Sequence, residues 1–298
     1  LTHFLLLTVL LLGSAAIVRR FQPPPALADS LNWWVIYVAL PATVLELLPG
    51  ISLSRHLWFL VASQWLVFTV TVLLFRWVGA RLGWSRARTG AITLMAALNN
   101  TSFVGFPLLE ALRGPEGVAL GVIADQLGGF LALAVGGSVV VGLYSSDAAR
   151  PAAIVRKVLT FPAFIAVLVG LGAGALGGWP DPLPDVLHRI AQTLAPLALF
   201  AVGLRLRVFV PRGQRGATAL ALGWKLALMP LLTLGAGVAV GAGGLTLAVA
   251  VMETAMAPMF TAAILARQHD FEPELTDTVL SLGLLLSFLT VPAWNLLL

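Results

Sequence analysis

Long apolar runs, separated by short charged or proline-rich interruptions, fill the chain from end to end. A helix needs about 20 apolar residues to cross a bilayer. Ten runs of roughly that length can be marked, near 1–18, 31–48, 56–78, 87–113, 116–144, 153–177, 186–206, 217–241, 244–266 and 275–297. The first run is followed, not preceded, by its positive charges (Arg19 and Arg20), so it reads as a retained helix and not a cleaved leader. Pro23–Pro25 is a stiff connector, Trp179–Pro184 a turn, and Pro115 suits the first turn of the fifth helix.

Two of the ten runs carry polar interruptions. The fourth contains Asn99, Asn100, Thr101, Ser102, Gly105 and Pro107; the ninth contains Glu253, Thr254 and Pro258. Unpaired backbone is not tolerated against lipid, only where protein or a water-filled cavity surrounds it. Both runs therefore read as helices broken at a polar site, the place where secondary transporters bind substrate. Mid-helix prolines also recur in the second and seventh runs, at Pro41 and Pro196. This matched order predicts an all-α membrane protein of ten transmembrane helices, built as a 5+5 inverted repeat of residues 1–148 and 149–298. The two broken helices cross at the midplane.

Composition fits this picture. Of 298 residues, 59% are hydrophobic and 10% charged, with a mean hydropathy of +0.96, which leaves no room for a separate soluble domain. A pI near 10.7 would suggest nucleic acid in a soluble protein. Here the basic residues sort by loop instead. Arg19, Arg20, Arg76, Arg81, Arg86, Arg88, Arg150, Arg156, Lys157, Arg205, Arg207, Arg212, Arg215 and Arg267 fall on one side, and Arg55, Arg113 and Arg189 on the other. The positive-inside rule then puts both termini outside the cytoplasm, in a cell (inner) membrane. The lack of cysteine excludes disulfides and thiolate chemistry. No zinc-protease, nucleophile-elbow or phosphate-loop motif is present, and the four histidines (His3, His56, His188, His269) lack metal-ligand spacing. The expectation is a protein that is no enzyme and carries no cofactor.

The candidate chemistry lies at the breaks. Asn100 and Thr101 are substrate ligands or fillers of broken backbone, with Asn99 pointing about 100° away. Gly105 belongs to the same motif. Pro107 and Pro258 are expected to begin second half-helices, whose positive ends and free N–H groups would form an anion site. Asp125 and Gln126 sit near mid-membrane; Asp125 is a proton carrier or the partner of a base. Glu253 is a coupling carboxyl or a cap on the break. Lys225 binds substrate, snorkels, or (the preferred reading) pairs with Glu253 or Asp125. Gln64 and Glu46 carry little signal, Glu46 reaching solvent at a helix end.

The run from Asn100-Thr101 through Gly105-Phe106-Pro107-Leu108-Leu109 to Ala111 and Gly114 resembles the fourth-helix signature of the auxin efflux carrier family. Ala39-Leu40-Pro41, Ala195–Leu204, Lys225 with Pro230, and Leu280-Ser281 through Pro292 resemble that family's second, seventh, eighth and tenth helices. The resemblance implies a fold like that of bile-acid symporters, elevator-type alternating access, and small organic anions such as carboxylates as substrates, with Gln126 at the substrate site. The chain lacks the long hydrophilic central loop of many plant members and so is similar to the bacterial permeases. The expected function is proton-linked secondary transport of such an anion. The alternatives are a sodium-coupled symporter of the same fold and a membrane ligand sensor without turnover. The bilayer and the anion are the expected partners, a second copy of the chain is allowed, and nucleic acid is not expected.

Overall fold

The computed structural model describes residues 2–24, 26–50, 57–145, 151–204, 206 and 210–298. Arg55, His56, Arg150, Arg205, Arg207 and the expected division between halves at 148/149 lie outside them. Among the described residues all regular structure is helical, apart from one isolated β-bridge. The helical stretches are α1 (Thr2–Phe21), α2 (Leu27–Gly50), α3 (Leu57–Leu82), α4 (Arg86–Ala97), α5 (Thr101–Tyr144), α6 (Pro151–Leu159), α7 (Pro162–Ala175), α8 (Leu183–Ala191), α9 (Leu194–Gly203), α10 (Arg212–Ala239), α11 (Gly244–Thr254), α12 (Phe260–Gln268) and α13 (Pro273–Leu297).

Among the described residues six stretches are long and apolar enough to cross a membrane: α2, α3, α5, α8 with α9, α10 and α13. Residues Thr8–Val18 of α1, and α7 and α11, are apolar but shorter. The chain is a multi-pass helical membrane protein. Fewer spans stand out than the ten apolar runs because several runs are interrupted. The fourth run is split between α4 and the start of α5. α5 itself folds sharply at Gly114, whose φ of 69° and ψ of −170° is open to a residue without Cβ, and Pro115 starts the next turn there.

Three of the prolines inside helices share a mark. Widened π-turns cover Val35–Ala39, Thr101–Gly105 and Trp224–Leu228, and each ends two residues before a proline: Pro41, Pro107 and Pro230. Proline lacks an N–H and its ring crowds the carbonyl four residues back, and a widened turn relieves that crowding. Pro107 therefore does not begin a half-helix, as expected from its sequence. It lies within α5 and widens the turn behind it.

The described chain forms two compact units, each drawing on both halves of the sequence. The first comprises residues 1–55, 102–122 and 158–206. Here α1 lies against α9 where Gly203 lacks a side chain; a Cβ there would fall 1.7 Å from Ser14 Oγ. The second half of α2 packs on α7 and α8, with Gly170 against Leu48 and Gly174 against the Pro49 backbone. Trp179 Nε1 donates to the Leu45 carbonyl at 2.7 Å, and Trp34 Nε1 to Thr193 Oγ1 at 2.9 Å. Glu46, expected to reach solvent at a helix end, is partly exposed and meets His188 Nδ1 at 2.6 Å. Gly105 and Pro107 belong to this unit.

The second unit comprises residues 56–101, 123–157 and 207–298. Its core joins Phe68 and Phe75 of α3, Ile92 and Met95 of α4, Leu222 and Leu226 of α10, Phe260 of α12 and Val279 of α13. The end of α5 approaches α3 through Gly128 and Gly136; a Cβ on either would meet Gln64 at 2.7 Å or Phe68 at 2.3 Å. Ser85 caps α4 by accepting the Arg88 N–H at 3.1 Å. Arg88 bonds both oxygens of Glu272, at 3.0 and 3.1 Å, and Arg267 meets Asp277 at 3.2 Å, so α4 and α12 are each tied to the start of α13.

Candidate functional site

The second unit brings the two breaks together. α4 stops at Ala97, and Leu98 turns extended with φ −107° and ψ 129°. α11 stops at Thr254, and the helix resumes only at Phe260, after an extended Met259. Between these ends, Asn99 and Pro258 form an antiparallel bridge. The Asn100 N–H donates to the Ala257 carbonyl at 2.9 Å, and the Met259 N–H to the Leu98 carbonyl at 3.0 Å. Each broken segment thus satisfies backbone groups of the other, which removes much of the cost of non-helical chain in an apolar interior. The resumed helices start at Thr101 and Phe260. Pro258, expected to begin a half-helix, is instead the bridge residue two positions before one. A proline fits there because its backbone N–H is not called on, the bonds being made by its neighbours.

Lys225 is fully buried on the π-turn of α10. Its ammonium donates to the carbonyls of Ala96 at 3.2 Å and Leu98 at 2.9 Å, and to Asn99 Oδ1 at 2.8 Å. An ammonium has three N–H donors, and three oxygens receive them. None is a carboxylate, which corrects the expected pairing with Glu253 or Asp125. The break strips the last carbonyls of α4 of their helical partners, and the cation lies at that negative helix end. Asn99 completes the arrangement by donating from Nδ2 to Gln64 Oε1 at 2.8 Å. Gln64, which carries little signal in the sequence, is 2% exposed and braces the first break from α3.

Across the break, the Thr101 hydroxyl donates to Asp125 Oδ1 and Gln126 Nε2 donates to Asp125 Oδ2. Asp125 and Gln126 lie on a further π segment, Ala124–Gly129. Gly129 leaves room for Thr101; a Cβ there would sit 3.2 Å from its Oγ1. Glu253 lies in the last turn of α11, directly before the second break, and within electrostatic range of Asp125. Both its carboxyl oxygens are buried without a hydrogen-bond partner, so it does not cap the break. Asn100 Nδ2 and Gln126 Oε1 are likewise buried and unpartnered. A donor, an amide acceptor and a carboxyl are thus left unused around two crossed breaks, where buried polar groups are normally satisfied.

Six of the expected residues, Asn100, Thr101, Asp125, Gln126, Lys225 and Glu253, therefore fall in one unit with Pro258, while Gly105 and Pro107 belong to the other. Among the described residues no cluster of three or more His, Asp or Glu could hold a metal ion.

Residues 4–142 and 149–295 match the family described as Membrane transport protein, which is the auxin-efflux-carrier-like family. The chain belongs to that family. An uncharacterized transporter of Methanothermobacter thermautotrophicus is 26% identical over 91% of this chain and 89% of its own length. An uncharacterized transporter of Methanocaldococcus jannaschii is 26% identical over 60% of each chain. The family is one of membrane transporters.

Proposed function

We propose that the protein is a secondary active transporter of small organic anions such as carboxylates, with ten spans in a 5+5 inverted repeat, both termini outside the cytoplasm of the cell (inner) membrane, and elevator-type alternating access. The observation that carries this reading is the crossing of the two breaks beside the unpartnered Asn100 Nδ2. An anion there meets an amide donor and the positive ends of the helices that start at Thr101 and Phe260, with no need of a cationic side chain. Lys225 is not that cation, since its three donors are engaged. Thr101 and Gln126 line the same place, and Pro258 fixes its backbone.

The anion is proposed to move with a cation. A carboxylate substrate beside Glu253 and Asp125 would repel them strongly at low dielectric unless positive charge arrives with it. Glu253, with both oxygens unpartnered, is the acceptor for a proton. The same oxygens and Gln126 Oε1 would also suit sodium, which keeps sodium symport as a second reading. Counterflow of radiolabelled mono- and dicarboxylates in proteoliposomes tests the site: one anion exchanges, and Asn100→Ala abolishes the exchange. Exchange untouched by Asn100→Ala, or exchange of amines alone, overturns the anion site. Glu253→Gln should leave exchange in place but remove uphill uptake driven by a pH gradient; dependence on a sodium gradient instead selects the second reading.

A further inference from the structure

Two apolar grooves flank α10 within the second unit. The first, of about 740 Å³, runs between α10 and α13 and is walled by Leu222, Leu226, Leu282 and Leu286. The second, of about 330 Å³, runs between α10 and α3 and is walled by Phe75, Val78, Trp224 and Leu228. Both reach Ala219 and Gly223. A Cβ on Gly223 would meet nothing within 4 Å, so these two small residues form an open saddle over α10 that joins the grooves.

Arg215, Ala219 and Gly223 follow one another at four-residue spacing, and so share one face of the helix. The exposed Arg215 therefore stands directly above the saddle, at the rim of the first groove. Thr218, on the wall of the same groove, is 4% exposed, and its hydroxyl has no hydrogen-bond partner. The shape is thus two apolar channels meeting below a cation, with a spare hydroxyl beside it. Apolar walls on a membrane-crossing helix face acyl chains. A basic residue where they meet, next to the positive end of α10, favours a negative headgroup.

We propose that α10 carries a binding site for one anionic diacyl phospholipid of the surrounding bilayer. Its phosphate sits at Arg215 with an oxygen on the Thr218 hydroxyl, and its two acyl chains lie on either side of α10 over the Ala219–Gly223 saddle. The lipid would brace the helix that carries Lys225, without being the transported solute.

Native mass spectrometry of the full chain in detergent, titrated with dioleoyl phosphatidylglycerol or dioleoyl phosphatidylcholine, tests this. The first phosphatidylglycerol should bind about fivefold more tightly than phosphatidylcholine, the discrimination expected from one arginine near a membrane surface. Arg215→Gln should remove that preference, while Arg81→Gln, which removes the same charge from the end of α3, should keep it. Gly223→Phe, which fills the saddle, should lower the occupancy of both lipids. Equal binding of the two lipids, or equal effects of Arg215→Gln and Arg81→Gln, overturns the proposal. So does a dimer that Gly223→Phe dissociates with lipid binding unchanged, since a second copy would then cover the grooves. If Gly223→Phe does not fold, the two arginine variants decide.

Discussion

The first break, at Leu98–Asn100, is held by side chains; the second, at 255–259, is held by backbone and packing. Around the first, Lys225, Gln64 and Asn99 form a buried chain of hydrogen bonds that takes up the carbonyls freed when α4 ends. Around the second stand Ala255, Met256, Ala257, Pro258 and Met259, none of which can offer a strong side-chain bond. Its backbone is satisfied by the first break, and its Pro258 ring rests on Gly283 of α13. The difference implies a division of labour. The first break is a fixed template, and the second takes its shape from it, leaving Glu253 beside it with free acceptors.

Removing the cation at the template is the severest way to break this comparison. Lys225→Met would strand the Ala96 carbonyl and Asn99 Oδ1 in a fully buried place and leave the Leu98 carbonyl with the Met259 N–H alone. Leaving a buried polar group without its partner costs about 1–3 kcal/mol, and here two are stranded at once. The expected outcome, read by thermal unfolding in detergent, is a large drop in melting temperature or loss of folded protein. A melting temperature close to that of the unaltered chain would show that the break holds itself.

The place of both breaks was legible in the sequence, because amides, hydroxyls and prolines inside apolar runs have few other uses. Their geometry was not. Pro107 and Pro258 looked like helix starts because proline is favoured there, but the starts at Thr101 and Phe260 are set by the pairing of one break with the other, which no local rule contains. Lys225 looked like the partner of a carboxylate, since acids are the obvious counter-charges for a buried ammonium. Its actual partners are carbonyls, which become available only once α4 has ended. Gln64 gave little signal, being one amide in an apolar helix whose partner Asn99 is distant in sequence. Close approaches at Gly128 and Gly136 could have marked α3 as the neighbour of α5, but small residues pack everywhere in membrane helices.

The neighbouring asparagines sharpen the comparison with a smaller effect. Asn99→Ala removes a donor to Gln64 and an acceptor from Lys225, and should destabilise by about 1–3 kcal/mol, the cost of leaving buried groups unsatisfied. Asn100→Ala removes an amide nitrogen that bonds nothing in the protein, and should change stability by about 0.5 kcal/mol or less. Two adjacent, equally buried amides would then separate cleanly, one acting on unfolding and the other on exchange. Equal melting temperatures for the two variants would place Asn100 in the template and remove it as a ligand.

A change milder than the Lys225 and Asn99 substitutions addresses the second break. A Cβ on Gly283 would come within 2.4 Å of Pro258 Cδ and 2.9 Å of Leu222 Cδ2. The leucine is the end of a flexible side chain and can move; the proline ring is rigid and its backbone is paired to Asn99. Overpacking of this kind costs about 1–3 kcal/mol, while alanine in place of glycine inside α13 returns about 1 kcal/mol of helix propensity. Gly283→Ala should therefore cost about 1 kcal/mol net, less than either template substitution. Its effect should appear mainly as slower exchange, because the displaced Pro258 shifts the bridge. An unchanged exchange rate with raised stability would mean that packing does not set the second break, and that its pairing with the first is enough.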